Sequence, residues 1–422
     1  MSVFAFLVLL PLAAAAQAPS SALPERVYSL DEALRLTRND PKLQSAEQDV
    51  IIAEQRVKEA KFQFLPEVGL QASATKYDAR YPFALSEDFR SILLFPSTQE
   101  NIFSGRGYMR MSLYEGQRGM NTLRLARAAY QQALSNRDSV RLDLALQVKE
   151  AFYRLLYAQE AARGADELAA AVERASGEDG LGVWERIEAE AALGAAASRA
   201  SDARHQLDAA RLTFLRTLNL ELDTPFKVDG RLETKPFKAE VEKAVVWAME
   251  LRPELQSQTY KAQMDAISVN LALGRRYPTL YVAGDYELTD QRFPLKKNNW
   301  DVTVGLKVPF SYDYWTQIAR KKAEQRQGQL VRAELQDRVR LEVRQAAENL
   351  RYWQEEWPRR EARWTRVSGL FEAGAGRPGP ALSKIRARQG LLELRLAHLA
   401  AVKEHILARA RLERAVGREL QP

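Results

Sequence analysis

The chain has no cysteine. That excludes disulfides, thiolate metal sites, a catalytic thiol and a lipidated N-terminal cysteine together. Histidine is nearly as scarce, with His205, His398 and His405 all falling in helical stretches. His398 and His405 sit seven apart on one helical stripe, but no ligand partner stands at metal-binding spacing, so they read as structural. Past the N-terminus no run approaches the 18 or so apolar residues of a spanning helix. Charged residues at 28% and aromatics at 9% exclude a disordered chain and a polytopic helical membrane protein. The net charge of +7 is spread along the length, without the basic patch that a nucleic acid would need. Catalytic patterns are missing too. Gly105-x-Gly107 and Gly374-x-Gly376 lack the third glycine of a nucleotide loop and read as turns. Acid pairs such as Asp31-Glu32 and Glu355-Glu356 read as solvated helix faces. The expectation is a protein with no cofactor, no metal and no enzymatic site.

What is present begins with an address. Val3 to Ala16 is apolar and runs into Ala14-Ala15-Ala16-Gln17-Ala18, the form of a secretory signal peptide over residues 1–18, cleaved after Ala16 or Ala18. The chain then contains itself twice. Pro41-Lys42-Leu43 returns as Pro253-Glu254-Leu255, and Leu65-Pro66 as Tyr277-Pro278, both about 212 positions apart. Such a period is too long for a solenoid and marks a duplicated half-molecule. The halves are expected at 19–225 and 226–422. Each opens with short helices, passes through a strand pair and ends in a long helical hairpin.

The strand pairs are expected near 67–77 with 105–114, and 279–289 with 300–310. Val68, Leu70, Ala72 and Ala74 alternate with Gln71, Ser73 and Thr75. In the second half Trp300, Val302, Val304, Leu306 and Val308 alternate with Asp301, Thr303, Gly305 and Lys307. Period-2 alternation over about ten residues is a strand with one apolar face, and that length crosses a bilayer when tilted. Tyr108, Tyr114, Tyr277, Trp300, Phe310 and Trp315 flank the strands, as in an interfacial girdle. Four strands cannot close a barrel, and lipid does not tolerate open edges. The chain is therefore expected to oligomerise through its strands, and three copies would supply twelve. On this reading Asp301, Thr303 and Lys307 face a lumen while Val302, Val304, Leu306 and Val308 face lipid.

The remainder reads as helix. Residues 122–218 and 314–417 form long hairpins, and Val140, Leu144, Val148, Ala151, Leu155 and Ala158 follow a supercoiled seam. The fold class expected is mainly α with transmembrane β: a long helical coiled-coil barrel continuous with a β-barrel to which each chain gives four strands.

These elements carry a family resemblance. Leu30-Asp31-Glu32-Ala33-Leu34, Asn39-Asp40-Pro41, Arg252-Pro253-Glu254-Leu255 and Leu113-Tyr114-Glu115-Gly116-Gln117-Arg118 resemble the TolC-type outer-membrane efflux proteins in order and spacing. So do Phe371-Glu372-Ala373-Gly374 and Gln389-Gly390-Leu391-Leu392-Glu393. The resemblance implies a homotrimer, with a twelve-stranded barrel in outer-membrane lipid and a periplasmic tunnel of twelve helices. It implies an exit duct for efflux or type I secretion. A periplasmic adaptor and an inner-membrane RND or ABC transporter would complete it. Adaptor contacts are then expected at the helical turns, at Gly177, Gly180, Leu181, Gly374, Ala375 and Gly376. Here the chain departs from the family's Gly-x-x-Ser-like turn. The family also closes its entrance with polar contacts, often an acidic ring after the second turn. Residues 381–391 hold Lys384, Arg386 and Arg388 and no acid, while Glu185 and Glu188 stand on the first hairpin. A periplasmic gate made of Glu185, Glu188, Lys384, Arg386 and Arg388 is expected. Two other readings compete. A periplasmic coiled-coil adaptor without a pore would carry one hairpin and a β-rich domain, and an exported enzyme would need a convergent polar site.

Overall fold

The structure, a computed structural model, describes residues 26–76, 101–176, 182–237, 240–290, 292–374 and 380–419. In chain order these form β1 (Arg26–Tyr28), α1 (Leu30–Leu36), a 3₁₀ turn, α2 (Pro41–Phe62), β2 (Glu67–Lys76), β3 (Asn101–Tyr114), α3 (Arg118–Ser176) and α4 (Val183–Thr217). The second half holds β4 (Phe226–Val228), α5 (Val241–Leu251), α6 (Pro253–Gly274), β5 (Thr279–Asp290), β6 (Lys297–Lys307), α7 (Tyr314–Gly374) and α8 (Ala381–Val416). The halves match closely. α2 and α6 are both 22 residues, and α3 and α7 are 59 and 61.

Local chemistry sets these boundaries. Pro41 and Pro253 both occupy the first turn of their helix, where a missing N–H costs nothing. The Asp40 carboxylate accepts from the Lys42 N–H at 2.7 Å, capping α2. α1 is closed by a reciprocal box in which the Glu32 N–H donates to Ser29 Oγ at 3.3 Å and the Ser29 N–H to Glu32 at 3.0 Å. Strand β6 stops at Lys307, three residues short of the expected end at 310. Pro309 follows, and proline cannot donate to a ladder. Val308 therefore lies outside the strand row in which it was expected. Strand β3 instead begins earlier than expected, at Asn101. Tyr77, also expected in a strand, lies outside the described residues. No helix among the described residues is long and apolar enough to cross a membrane.

The chain divides into two compact units. The first comprises Met1–Thr37, Gln147–Glu233 and Ala362–Lys403. Its core gathers Tyr28, Phe152, Phe214 and Phe226 with Leu155, Leu156 and Leu215. Phe214 stacks on Phe226 at 5.4 Å, and the parallel pairing of β1 with β4 places Tyr28 edge-on to both rings. A second cluster of Leu168, Val172, Ala196 and Ile385 joins α3, α4 and α8. Alanine is frequent where these helices meet, which allows close approach.

The second unit comprises Arg38–Leu146, Thr234–Glu361 and Glu404–Pro422. It holds the four-stranded sheet and a core of Val339, Val343, Leu350, Leu412 and Val416 packed on Ala244 and Ala248. Its polar centre is an ion network. Arg252 bonds Glu254 at 3.1 Å and Glu342 at 2.7 Å, and Arg414 bonds Glu254 and Asp143. Burial alone would raise the Glu254 carboxyl. Arg414 and Arg252, with the Ser139 hydroxyl donating at 3.0 Å, hold it below its ordinary value instead. The motif Arg252-Pro253-Glu254-Leu255 thus caps a helix and ties α3, α6, α7 and α8 at once.

His405 is buried beside this core. Gln354 Oε1 accepts from the Phe237 N–H at 3.0 Å, so the 2.8 Å contact with His405 Nε2 makes that nitrogen the donor. Nδ1 then accepts from the Thr234 hydroxyl at 2.7 Å. Burial, and secondarily Arg409, push its pKa below 6.5. The ring is a neutral structural group.

Candidate functional site

The sheet order is β2-β3-β5-β6, antiparallel throughout, and its register sorts the side chains into two faces. Val68 pairs with Met109, Met109 with Gly284 and Gly284 with Val302. Two residues along, Met111, Val282 and Val304 continue the row. One face is therefore apolar across all four strands, and among the described residues Phe293 and Leu295 touch one end of it while much of the rest lies bare. Leu70 is 92% exposed, and Val302 and Val304 are 67% and 68% exposed. Water does not favour so wide a bare apolar face.

The opposite face is polar. Arg106 meets Asp285 at 2.6 Å, and Ser104 Oγ donates to Glu287 at 2.5 Å, both across the β3–β5 pair. Arg110 lies over the Tyr281 ring at 4.7 Å. Asp301, Thr303 and Lys307 stand on this face, with the Thr303 hydroxyl donating to Asp301 at 3.0 Å. Two glycines are roofed by tyrosines paired directly opposite them, Gly69 by Tyr108 and Gly305 by Tyr281. Cross-strand aromatics of this kind shield a glycine backbone. The ion pair and the tyrosine roofs are invisible without the register. Arg106 and Asp285 share a parity with Ser104 and Glu287, and that was their only local signal.

A matched face on each of four strands, and the long helical hairpins in each half, invite comparison with known proteins. Residues 33–177 match the family model described as "Outer membrane efflux protein". No curated protein matches the sequence. Among solved structures, the Campylobacter jejuni CmeC outer membrane channel superposes with a TM-score of 0.80 at 14% identity, covering 92% of this chain and 85% of that one. The Vibrio cholerae outer membrane protein VceC gives 0.74 at 12%, covering 93% and 97%. The open state of the Neisseria gonorrhoeae MtrE outer membrane channel gives 0.74 at 15%, covering 93% and 89%. The chain has the fold of the outer-membrane channels. Its resemblance to the TolC-type efflux family holds in sequence over 33–177 and in fold over more than nine-tenths of its length.

The expected tip residues divide. Gly177, Gly180, Leu181, Ala375 and Gly376 lie outside the described residues, and Gly374 is the last residue of α7. Arg386 and Glu188 come together, the guanidinium donating to the carboxylate at 2.8 Å between α8 and α4. Arg199 and Glu393 join the same two helices at 3.3 Å, and Arg395 reaches Glu160 on α3 at 3.0 Å. Glu185 is engaged otherwise. Its carboxylate accepts from the Gly182 N–H at 3.1 Å, closing the first turn of its own helix. Lys384 is exposed, and Arg388 borders a cavity of about 350 Å³ with Trp364, Phe371 and Leu392. No group of three or more His, Asp or Glu among the described residues could hold a metal.

Proposed function

We propose that this protein is an outer-membrane channel-tunnel, the exit duct for solutes moved by an inner-membrane RND or ABC transporter through a periplasmic adaptor. One observation carries the reading. The sheet is apolar on one face and polar on the other, and among the described residues its outer strands β2 and β6 each have a single neighbour. A spanning sheet must pair every backbone group, so β2 of one copy pairs with β6 of the next. Three copies close a ring of twelve strands, with Asp301, Thr303 and Lys307 in the lumen and Val302, Val304 and Leu306 on lipid. The chain reaches the outer membrane by its signal peptide. The adaptor meets the helical turns around Gly177, Gly180, Leu181, Gly374, Ala375 and Gly376. Arg386 with Glu188, supported by Lys384 and Arg388, narrows the periplasmic entrance.

Cysteine pairs scanned along β2 and β6 test the closure. In cells they should yield cross-linked dimers and trimers that fractionate with the outer membrane and conduct in planar bilayers. A monomer in the periplasmic fraction would favour the adaptor reading and end this one. Cysteines at Leu181 and Ala375 should cross-link to the cognate adaptor. Cross-links confined to mid-helix sites such as Leu144 would move the contact away from the turns.

A further inference from the structure

At the end of the sheet where β2 and β5 begin and β3 and β6 finish, the polar face bounds a concavity of about 870 Å³. Four cations line it: Arg110 on β3, Arg118 opening α3, Arg275 just past α6, and Lys307 closing β6. Two carboxylates, Glu67 and Glu115, share the wall. Among the described residues none of the four cations makes an ion pair with a carboxylate. Arg110 is held against the Tyr281 ring, Arg118 donates to the Glu115 carbonyl at 2.9 Å, and Arg275 donates to the Gln317 side chain at 2.7 Å. These contacts aim the cations, and Arg275 has an acid beyond the wall within electrostatic reach, Asp313, which shares its Gln317 partner.

The contrast along the face is informative. Arg106, four residues from Arg110 on the same strand, is neutralised by Asp285 at 2.6 Å. At the foot of the sheet the cations outnumber the lining carboxylates, four to two. The first turn of α3 carries no acid either, so the positive end of a 59-residue helix adds to the same field. A net excess of one sign of charge in a concave wall concentrates ions of the other sign.

We propose that this concavity is a binding station for anionic solutes, those bearing several carboxylate or phosphate groups, and that it gives the duct a preference for anions at that level. The proposal rests on the duct reading, since the polar face must line a lumen for a solute to meet it. Arginine supplies planar, two-pronged contacts to either oxyanion, and Lys307 supplies a mobile point charge.

The experiment is a reversal-potential measurement on the purified oligomer in a planar bilayer, under a potassium chloride gradient near 0.1 M. At that salt the screening length is about 10 Å and the field survives. Citrate and inorganic triphosphate are then added separately as blockers, to distinguish carboxylate from phosphate preference. The wild type should favour chloride, and at least one blocker should act at lower concentration than it does on the Lys307→Gln and Arg275→Gln variants. Each substitution should cut the anion-to-cation permeability ratio by roughly threefold, as befits exposed charges, while Lys307→Arg retains it. Cation preference in the wild type overturns the proposal and leaves the duct standing. So does unchanged permeability in both glutamine variants. Absence of any conductance removes the duct reading and the station with it.

Discussion

The Tyr108 ring lies across Gly69, its direct partner on the neighbouring strand, and occupies the space a β-carbon there would need. Tyr281 does the same over Gly305 in the second half of the chain. Both tyrosines stand on the polar face, so displacing one sends a phenol outward into the proposed lumen. The contacting atoms are the far end of a flexible side chain, so Gly69→Ala should cost only about 0.2–1 kcal/mol, the worth of one cross-strand pair. Conductance should fall as Tyr108 swings away. Tyr108→Ala should raise it. Single-channel recording with thermal melting of the oligomer checks both, and a large stability loss without a conductance change would show the roof to be purely structural.

The two faces of β6 make a sharper test. Val304 is in the apolar row and Thr303 in the polar one, and a one-residue slip would exchange them. Arg at Val304 should destabilise the barrel by about 2–4 kcal/mol if it sits near the bilayer midplane. Arg at Thr303 should be mild. Denaturant unfolding in detergent or lipid separates the outcomes, and equal tolerance at both positions contradicts the assignment.

His405 predicts a pH dependence. Its folded pKa is lowered by burial and by Arg409. Between that value and the ordinary 6.5 the unfolded chain binds more protons than the folded one, so stability falls with acidification through this window. The contribution is fully present above pH 6.5. Melting temperature should drop between pH 7 and pH 5 in the wild type, and drop less in His405→Asn. That variant starts less stable because Thr234 and Gln354 lose the geometry of a ring between them. Parallel pH profiles of the two proteins would assign the acid sensitivity elsewhere.

Much of the fold was legible because it is written in short-range patterns. Pro41 and Pro253 announce helix starts by what their rings forbid, and the parity of Val302, Val304 and Leu306 announces a half-apolar strand. The resemblance supplied the rest of the architecture. Strand β3 begins four residues before the expected 105, because Asn101 to Ser104 look like the end of a loop until the register with β2 and β5 is known. β6 was read too long, since Val308 keeps the parity that Pro309 ends. The Arg106–Asp285 pair and the concavity at the foot of the sheet depend on residues brought together across four strands. Local pattern carries no such information. Glu185 is expected in the gate from its acidity alone, whereas its position three residues after Gly182 lets it cap its own helix.

The last prediction concerns the entrance. Arg386 and Glu188 join α8 to α4 at 2.8 Å, with both side chains more than half exposed. Exposed pairs are worth only about 0–1 kcal/mol each. A closure built from them is soft and could open when a partner offers competing contacts. Reversing Arg386 and Arg388 to Glu sets acid against Glu188 and should widen the entrance. Single-channel conductance should rise, and cells should become sensitive to large antibiotics. Adding Glu188→Arg to the reversed protein restores the attraction with opposite polarity and should return conductance toward the wild-type value. That rescue distinguishes a pair acting between two helices from a general effect of charge on permeation. Unchanged conductance in the reversed variant, with the oligomer intact, would remove the gate and leave the duct itself unaffected.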